Sequence, residues 1–248
     1  MTLEHLFNAR IETSVDFVFV IDATNGMTTL IETIEKGVHT FYENIIKALD
    51  QRHRALQKLR VKVIWFRDFY FDGQYAYGES QFFELPEENE EFRKFVASIR
   101  AAGGGDDPES ALEALTLAMR SDFTQAGDRR RHIIVLFTDQ SAHAFEDYDQ
   151  LVEKASAWGC KPVTYPINMP KSLVQLYDEW NGYGLDNGSL PTKLDKQGKR
   201  LLLVTPDAYP WEDMEMDLEQ VLRMCMLRGD SCEDFSWDNF WELLNLIL

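Results

Sequence analysis

Five consecutive apolar residues, Phe17-Val18-Phe19-Val20-Ile21, leave this chain few folds to choose from. A strand that is apolar at every position is covered on both faces, as in a parallel sheet held between two helix layers. Ligand sites in such sheets gather at the carboxyl ends of the strands, where the strand order reverses. At that end the chain places Asp22-Ala23-Thr24-Asn25-Gly26-Met27, a carboxylate and a hydroxyl two residues apart. The pair has two readings, a cap for the helix that follows or one corner of a cation site.

Other strand ends decide between them. His132-Ile133-Ile134-Val135-Leu136-Phe137 is a second run of the same kind, and it ends in Thr138-Asp139. Between the two lies Gly103-Gly104-Gly105-Asp106-Asp107-Pro108-Glu109-Ser110, followed by Ala111, Leu112, Leu115, Ala118 and Met119 at helical spacing. Glycines allow a tight loop, and Pro108 with Glu109 suits the first turn of a helix. Three loops can therefore offer oxygen ligands to one point.

In these motifs the sequence resembles a von Willebrand factor type A domain with a metal-ion-dependent adhesion site, over roughly residues 14–228. Asp22-x-Thr24-x-Gly26 is similar to the family's Asp-x-Ser/Thr-x-Ser loop. Val61-Lys62-Val63-Ile64-Trp65-Phe66-Arg67-Asp68 is similar to the second strand of one branch of the family, Gly103 to Glu109 to that branch's second metal loop, and Thr138-Asp139 to the third. The resemblance implies an α/β, Rossmann-like fold, a doubly wound and mostly parallel six-stranded sheet with helices on both faces. It implies Asp22, Thr24, Asp106 and Asp139 as metal ligands, Mg2+ as the ion with Mn2+ or Ca2+ as substitutes, and an acidic side chain of a protein partner in the open position.

The motifs depart from the family in two places. Gly26 stands where a second hydroxyl is usual, so a water or Thr28 would have to replace it. Asp106 stands where adhesive members more often carry threonine, and Asp107 competes for the same role. Three carboxylates around one divalent ion leave the cluster at about −1, which holds the ion and weakens its pull on a partner's carboxylate. Thr138 and His143 are further candidates for the loop or rim. Phe69, Tyr70, Tyr75 and Tyr77 follow a strand on the same side and form a candidate contact surface, as do Trp237 and Trp241 near the end.

Alternation of strand and helix patterns supports the doubly wound architecture. Helices are expected over Thr29–Leu49, Asn89–Arg100, Ser110–Arg120, Tyr148–Trp158, Lys171–Trp180 and Glu212–Leu227. Further strands are expected at Val61–Phe66, Phe82–Leu85, Pro162–Ile167 and Arg200–Thr205. Tyr183–Lys199 reads as a loop at the opposite end of the sheet. Residues 1–228 form the expected domain, and 229–248 an apolar tail that packs on it or on a partner.

Composition narrows the function classes. A net charge of −17 excludes nucleic acid from the expected partners, because phosphate contacts need clustered Lys and Arg. The short run Arg129-Arg130-Arg131 reads as a solvated turn. No segment reaches the eighteen apolar residues of a membrane span, and Met1-Thr2-Leu3-Glu4-His5-Leu6 lacks the regions of a signal peptide, so a cytoplasmic location is expected. Cys160, Cys225 and Cys232 lack metal-ligand spacing and read as reduced thiols. A phosphohydrolase of the haloacid dehalogenase type needs a carboxylate where Thr24 stands, and no phosphate-binding Lys-Ser/Thr loop occurs. The expectation is a non-enzymatic, divalent-cation-binding interaction module of an intracellular multiprotein system. The alternatives are a metal-independent scaffold and, less favoured, a Mg2+-dependent phosphohydrolase.

Overall fold

In the computed structural model, residues 11–104, 108–160, 165–183, 192–226 and 235–248 are described. The apolar run at residue 17 belongs to β1 (Ile11–Asp22). It is followed by α1 (Thr28–Asp50), β2 (Arg54–Phe66), β3 (Tyr77–Glu79), β4 (Phe83–Leu85), α2 (Asn89–Ser98) and α3 (Ala111–Met119). The second run lies in β5 (Arg129–Phe137), followed by α4 (Tyr148–Ala157), α5 (Leu173–Asn181), β6 (Lys199–Pro206), α6 (Trp211–Asp217), β7 (Val221–Met226) and α7 (Trp237–Ile247).

Among the described residues the sheet has seven strands rather than six, in the order β3-β2-β1-β5-β6-β7, with β4 also paired to β2. Pairing is parallel from β2 through β7, while β3 and β4 run antiparallel to β2. The chain leaves β1 for β2 on one side and returns to β5 on the other. The crevice of the doubly wound sheet therefore opens at the carboxyl ends of β1 and β5.

Alternation along β1 divides the core. Phe17, Phe19 and Ile21 pack on one face with α1, α2 and α7, and Val18 and Val20 on the other with α3, α5 and α6. Full burial of each such side chain contributes about 1.5–3 kcal/mol, which explains why both faces of β1 and β5 are apolar.

Some expectations shift. The helix expected over Glu212–Leu227 stops at Asp217, and Val221–Met226 pairs with β6 as an edge strand. Gln220 turns the chain there with a left-handed φ of 68°. A short apolar run has no period that separates buried helix from strand, and sheet pairing decides the outcome. β2 begins at Arg54, ahead of the Val61 start expected from its apolar residues. Residues 162–164 of the expected fifth strand lie outside the described residues, and Tyr165, Pro166 and Ile167 form no strand. Most of the expected loop, residues 184–191, also lies outside them.

The apolar segment after residue 235 is helical and lies on the α1 face. Phe235, Phe240, Leu244 and Ile247 are buried there, Trp237 donates through Nε1 to the Thr33 carbonyl at 2.9 Å, and the rings of Phe41 and Trp241 lie 5.4 Å apart. A Cβ on Gly37, midway along α1, would overlap the Trp237 indole. Trp237 and Trp241 are thus joined to the core, and the docking supplies what a marginal isolated helix lacks.

Candidate metal centre

Asp22 is the last residue of β1 and is fully buried. Its Oδ1 accepts from the Thr24 amide at 2.8 Å and the Thr24 hydroxyl at 2.7 Å. Its Oδ2 accepts from the Thr138 hydroxyl at 2.7 Å, which ties the ends of β1 and β5 together. The alternative of helix capping fails, because Thr24 makes no side-chain cap to the turn that follows and gives its hydroxyl proton to Asp22.

Asp139 follows Thr138 and is 3% exposed. One of its carboxylate oxygens lies 2.5 Å from where a Cβ on Gly26 would stand. The first-loop glycine is therefore the space into which the third-loop carboxylate fits. Thr28 is exposed, and its hydroxyl donates to the Asn25 carbonyl at 3.4 Å. Asp106 and Asp107 lie outside the described residues.

Burial pushes the Asp22 carboxyl up to about 6 despite its three hydrogen bonds, and the Asp139 charge adds to the rise. Two adjacent buried carboxylates are what a cation would compensate. The described donors are oxygens, the type that Mg2+, Mn2+ and Ca2+ prefer. Among the described residues, no group of three or more His, Cys, Asp or Glu side chains forms a complete metal-binding cluster.

Gly103 and Gly104, at the start of the second loop, meet residues whose role the sequence did not disclose. Gly103 and Gly104 have left-handed φ values of 74° and 87°. Asp72 accepts from the Gly104 amide and the Asp68 amide, both at 3.1 Å. A Cβ on Gly104 would stand 2.9 Å from the Glu109 carboxylate and 3.4 Å from the Thr24 methyl. Glu109 is 3% exposed and precedes α3, where the sequence suggested a first-turn residue. Arg67 donates to the carbonyls of Ala23, Tyr75 and Arg100, at 3.1, 3.0 and 2.8 Å, and so joins the first loop to the aromatic hairpin.

Burial corrects several rim candidates. His143 is 4% exposed, lies 3.2 Å from Asp68 Oδ2 and stacks edge-on against Tyr70. Phe69 and Tyr70 are buried as well, and the Tyr70 and Tyr165 hydroxyls donate to Glu113 Oε1 at 3.2 and 2.9 Å. These groups pack beneath the loops rather than presenting a contact surface. Tyr75 remains 62% exposed, and Tyr77 is half-buried. Their spacing alone did not separate the two environments, because aromatic residues serve both.

The sequence profile described as the von Willebrand factor A domain matches residues 16–165. Alpha-protein kinase vwkA of Dictyostelium discoideum is 27% identical over 137 residues, 55% of this chain and 20% of the kinase. The pilus adhesin SpaC of Lactobacillus rhamnosus GG, in its open conformation, aligns at 18% identity with a TM-score of 0.40 over 54% of this chain and 16% of the adhesin. Proximal thread matrix protein 1 of the mussel byssus, with a zinc-occupied MIDAS motif, aligns at 12% identity with a TM-score of 0.45 over 96% of this chain and 48% of that one. The chain thus spans less than half the length of each.

Proposed function

The chain belongs to the von Willebrand factor A domain family, and from that premise we propose that it is a non-enzymatic interaction module whose contact face is organised by a divalent cation. Domains of this family mediate protein interactions. The observation that carries the reading is the meeting of Asp22, Thr24, Thr138 and Asp139 at the crevice between β1 and β5.

In this reading Asp22, Thr24 and Asp139 hold the ion with Asp106, and Mg2+ is the resident metal, replaceable by Mn2+ or Ca2+. Once bound, the ion offers an electrophilic point for a partner's acidic side chain. Gly26 admits Asp139 so closely that a carboxylate takes over the space of the family's second hydroxyl. The module spans residues 1–228 with 229–248 as its closing segment, and works in an intracellular assembly. Tyr75 and Tyr77 flank the contact face.

Thermal unfolding with Mg2+, Mn2+ or EDTA tests the metal. At a hundred times the dissociation constant, binding adds about 2.7 kcal/mol, a rise on the order of 5–10 °C for a domain of this size. Asp22→Ala should lose that rise. Equal melting of wild type and variant in all conditions would sink the metal reading and favour a metal-independent scaffold. A pull-down with and without EDTA then tests whether the ion governs partner capture.

A further inference from the structure

His132 lies in the amino-terminal part of β5, opposite the metal crevice, and is fully buried with both ring nitrogens in use. Nε2 is 3.0 Å from the Thr124 carbonyl, and the Asp195 amide donates to Nδ1 at 2.9 Å. A carbonyl only accepts and an amide N–H only donates. The ring is therefore neutral, with its proton on Nε2 and a lone pair on Nδ1. Phe123 stacks on it with ring centroids 4.7 Å apart.

One imidazole thus joins two segments, residues 121–126 after α3 and residues 192–198 before β6. The first has a second hold on the sheet, because the Thr124 amide donates to Asp16 of β1 at 2.6 Å. The second is held by Arg130, which donates to Asp195 Oδ2 at 3.0 and 2.8 Å, and by Gln125, which donates to the Lys193 carbonyl at 2.8 Å. Arginine and aspartate keep their charges between about pH 8 and 5, so only the imidazole bond changes there. The charged groups of the surrounding elements are themselves paired. Arg60 of β2 binds Asp16, Arg120 at the end of α3 binds Glu179 of α5, Lys193 binds Asp122, and Lys199 of β6 donates to the Trp180 carbonyl. Burial draws the His132 ring below its ordinary value of 6.5, and Arg130 adds to this, while Asp16, the Thr124 carbonyl and Asp195 oppose it.

We propose that His132 is an acid-operated latch on residues 192–198. A proton on Nδ1 removes the lone pair that the Asp195 amide uses and sets two donors against each other, so the segment lets go of the amino-terminal end of the sheet. Once it opens, the ring meets water and takes up its proton near the ordinary pKa of about 6.5. Between the closed-state value and 6.5, the open state holds a proton that the closed state lacks. Falling pH therefore favours opening, by up to about tenfold per unit.

Hydrogen exchange of the full chain, followed by NMR from about pH 8 to about pH 5, reads the latch. Below about pH 6.5 the protection factor of the Asp195 amide should fall by up to about tenfold per unit, and that of Phe19, in the middle of β1, should change far less. Nitrogen spectra of the imidazoles should show His132, assigned through its contact with Phe123, protonated on Nε2 alone at neutral pH. His132→Asn sets an amide oxygen near the place of Nδ1 and does not titrate, so its Asp195 protection should lose the pH dependence. A proton on Nδ1 at neutral pH, constant Asp195 protection in wild type, an equal loss at Phe19, or an unchanged pH dependence in His132→Asn would each overturn the latch. If the variant does not fold, the ring tautomer and the wild-type exchange decide the matter.

Discussion

At the scale of single residues, Gly26 carries the sharpest consequence. Restoring the family's serine there looks like a gain of a ligand, but its Cβ would stand 2.5 Å from the Asp139 carboxylate. Gly26→Ser should therefore reduce the Mg2+-induced rise in melting temperature, and an enlarged rise would show that Asp139 has room to move. Glu113 makes a different prediction. Its carboxyl is fully buried between two tyrosine hydroxyls, and burial raises it above its ordinary value of 4.5. Between that value and the folded one, the folded state holds a proton that the unfolded state has released, so stability falls as pH rises. Glu113→Gln lacks this slope. Melting from pH 4.5 upward should show the variant gaining on wild type as pH rises, and parallel curves would refute it.

At the scale of elements, what was legible in the sequence divides along physical lines. β1 and β5 announced themselves because burial on both faces requires apolar residues at every position, and the nearness of the Asp22 and Asp139 loops followed from their places at the ends of those strands. β7 did not, since its six residues fit a buried helix equally well until they pair with β6. The supporting roles of Asp72, Glu109 and Arg67 depend on chain crossings that no local spacing encodes. The same holds for Gly37, whose place beneath Trp237 joins residues 200 positions apart in sequence. Glycine within a helix normally costs up to about 1 kcal/mol relative to alanine. Here Gly37→Ala should destabilise by about 1–3 kcal/mol, because the added methyl overpacks the indole. Chemical denaturation of Gly37→Ala, alone and with Trp237→Ala, checks this. The penalty should shrink in the double variant, and an unchanged penalty would place its cause within α1.

At the scale of the whole molecule, 42 acidic against 25 basic residues give a net charge of −17. Such a field gathers cations and is screened by salt. Raising NaCl from about 0.01 to about 0.15 M shortens the Debye length from roughly 30 to 8 Å. Apparent Mg2+ affinity, read from thermal shifts, should fall several-fold, and no change would confine the attraction to the ligands themselves. A different consequence follows from α7. Residues 237–247 cover a face whose other parts, among them Phe41 and Phe137, lie far earlier in the chain. Synthesis runs from the amino terminus, so a ribosome carries this sheet with part of that face left uncovered by α1 and α2 until α7 has emerged. A nascent chain stalled before Trp237 would be a chaperone client, and release of α7 from the exit tunnel would be the event that ends its dependence.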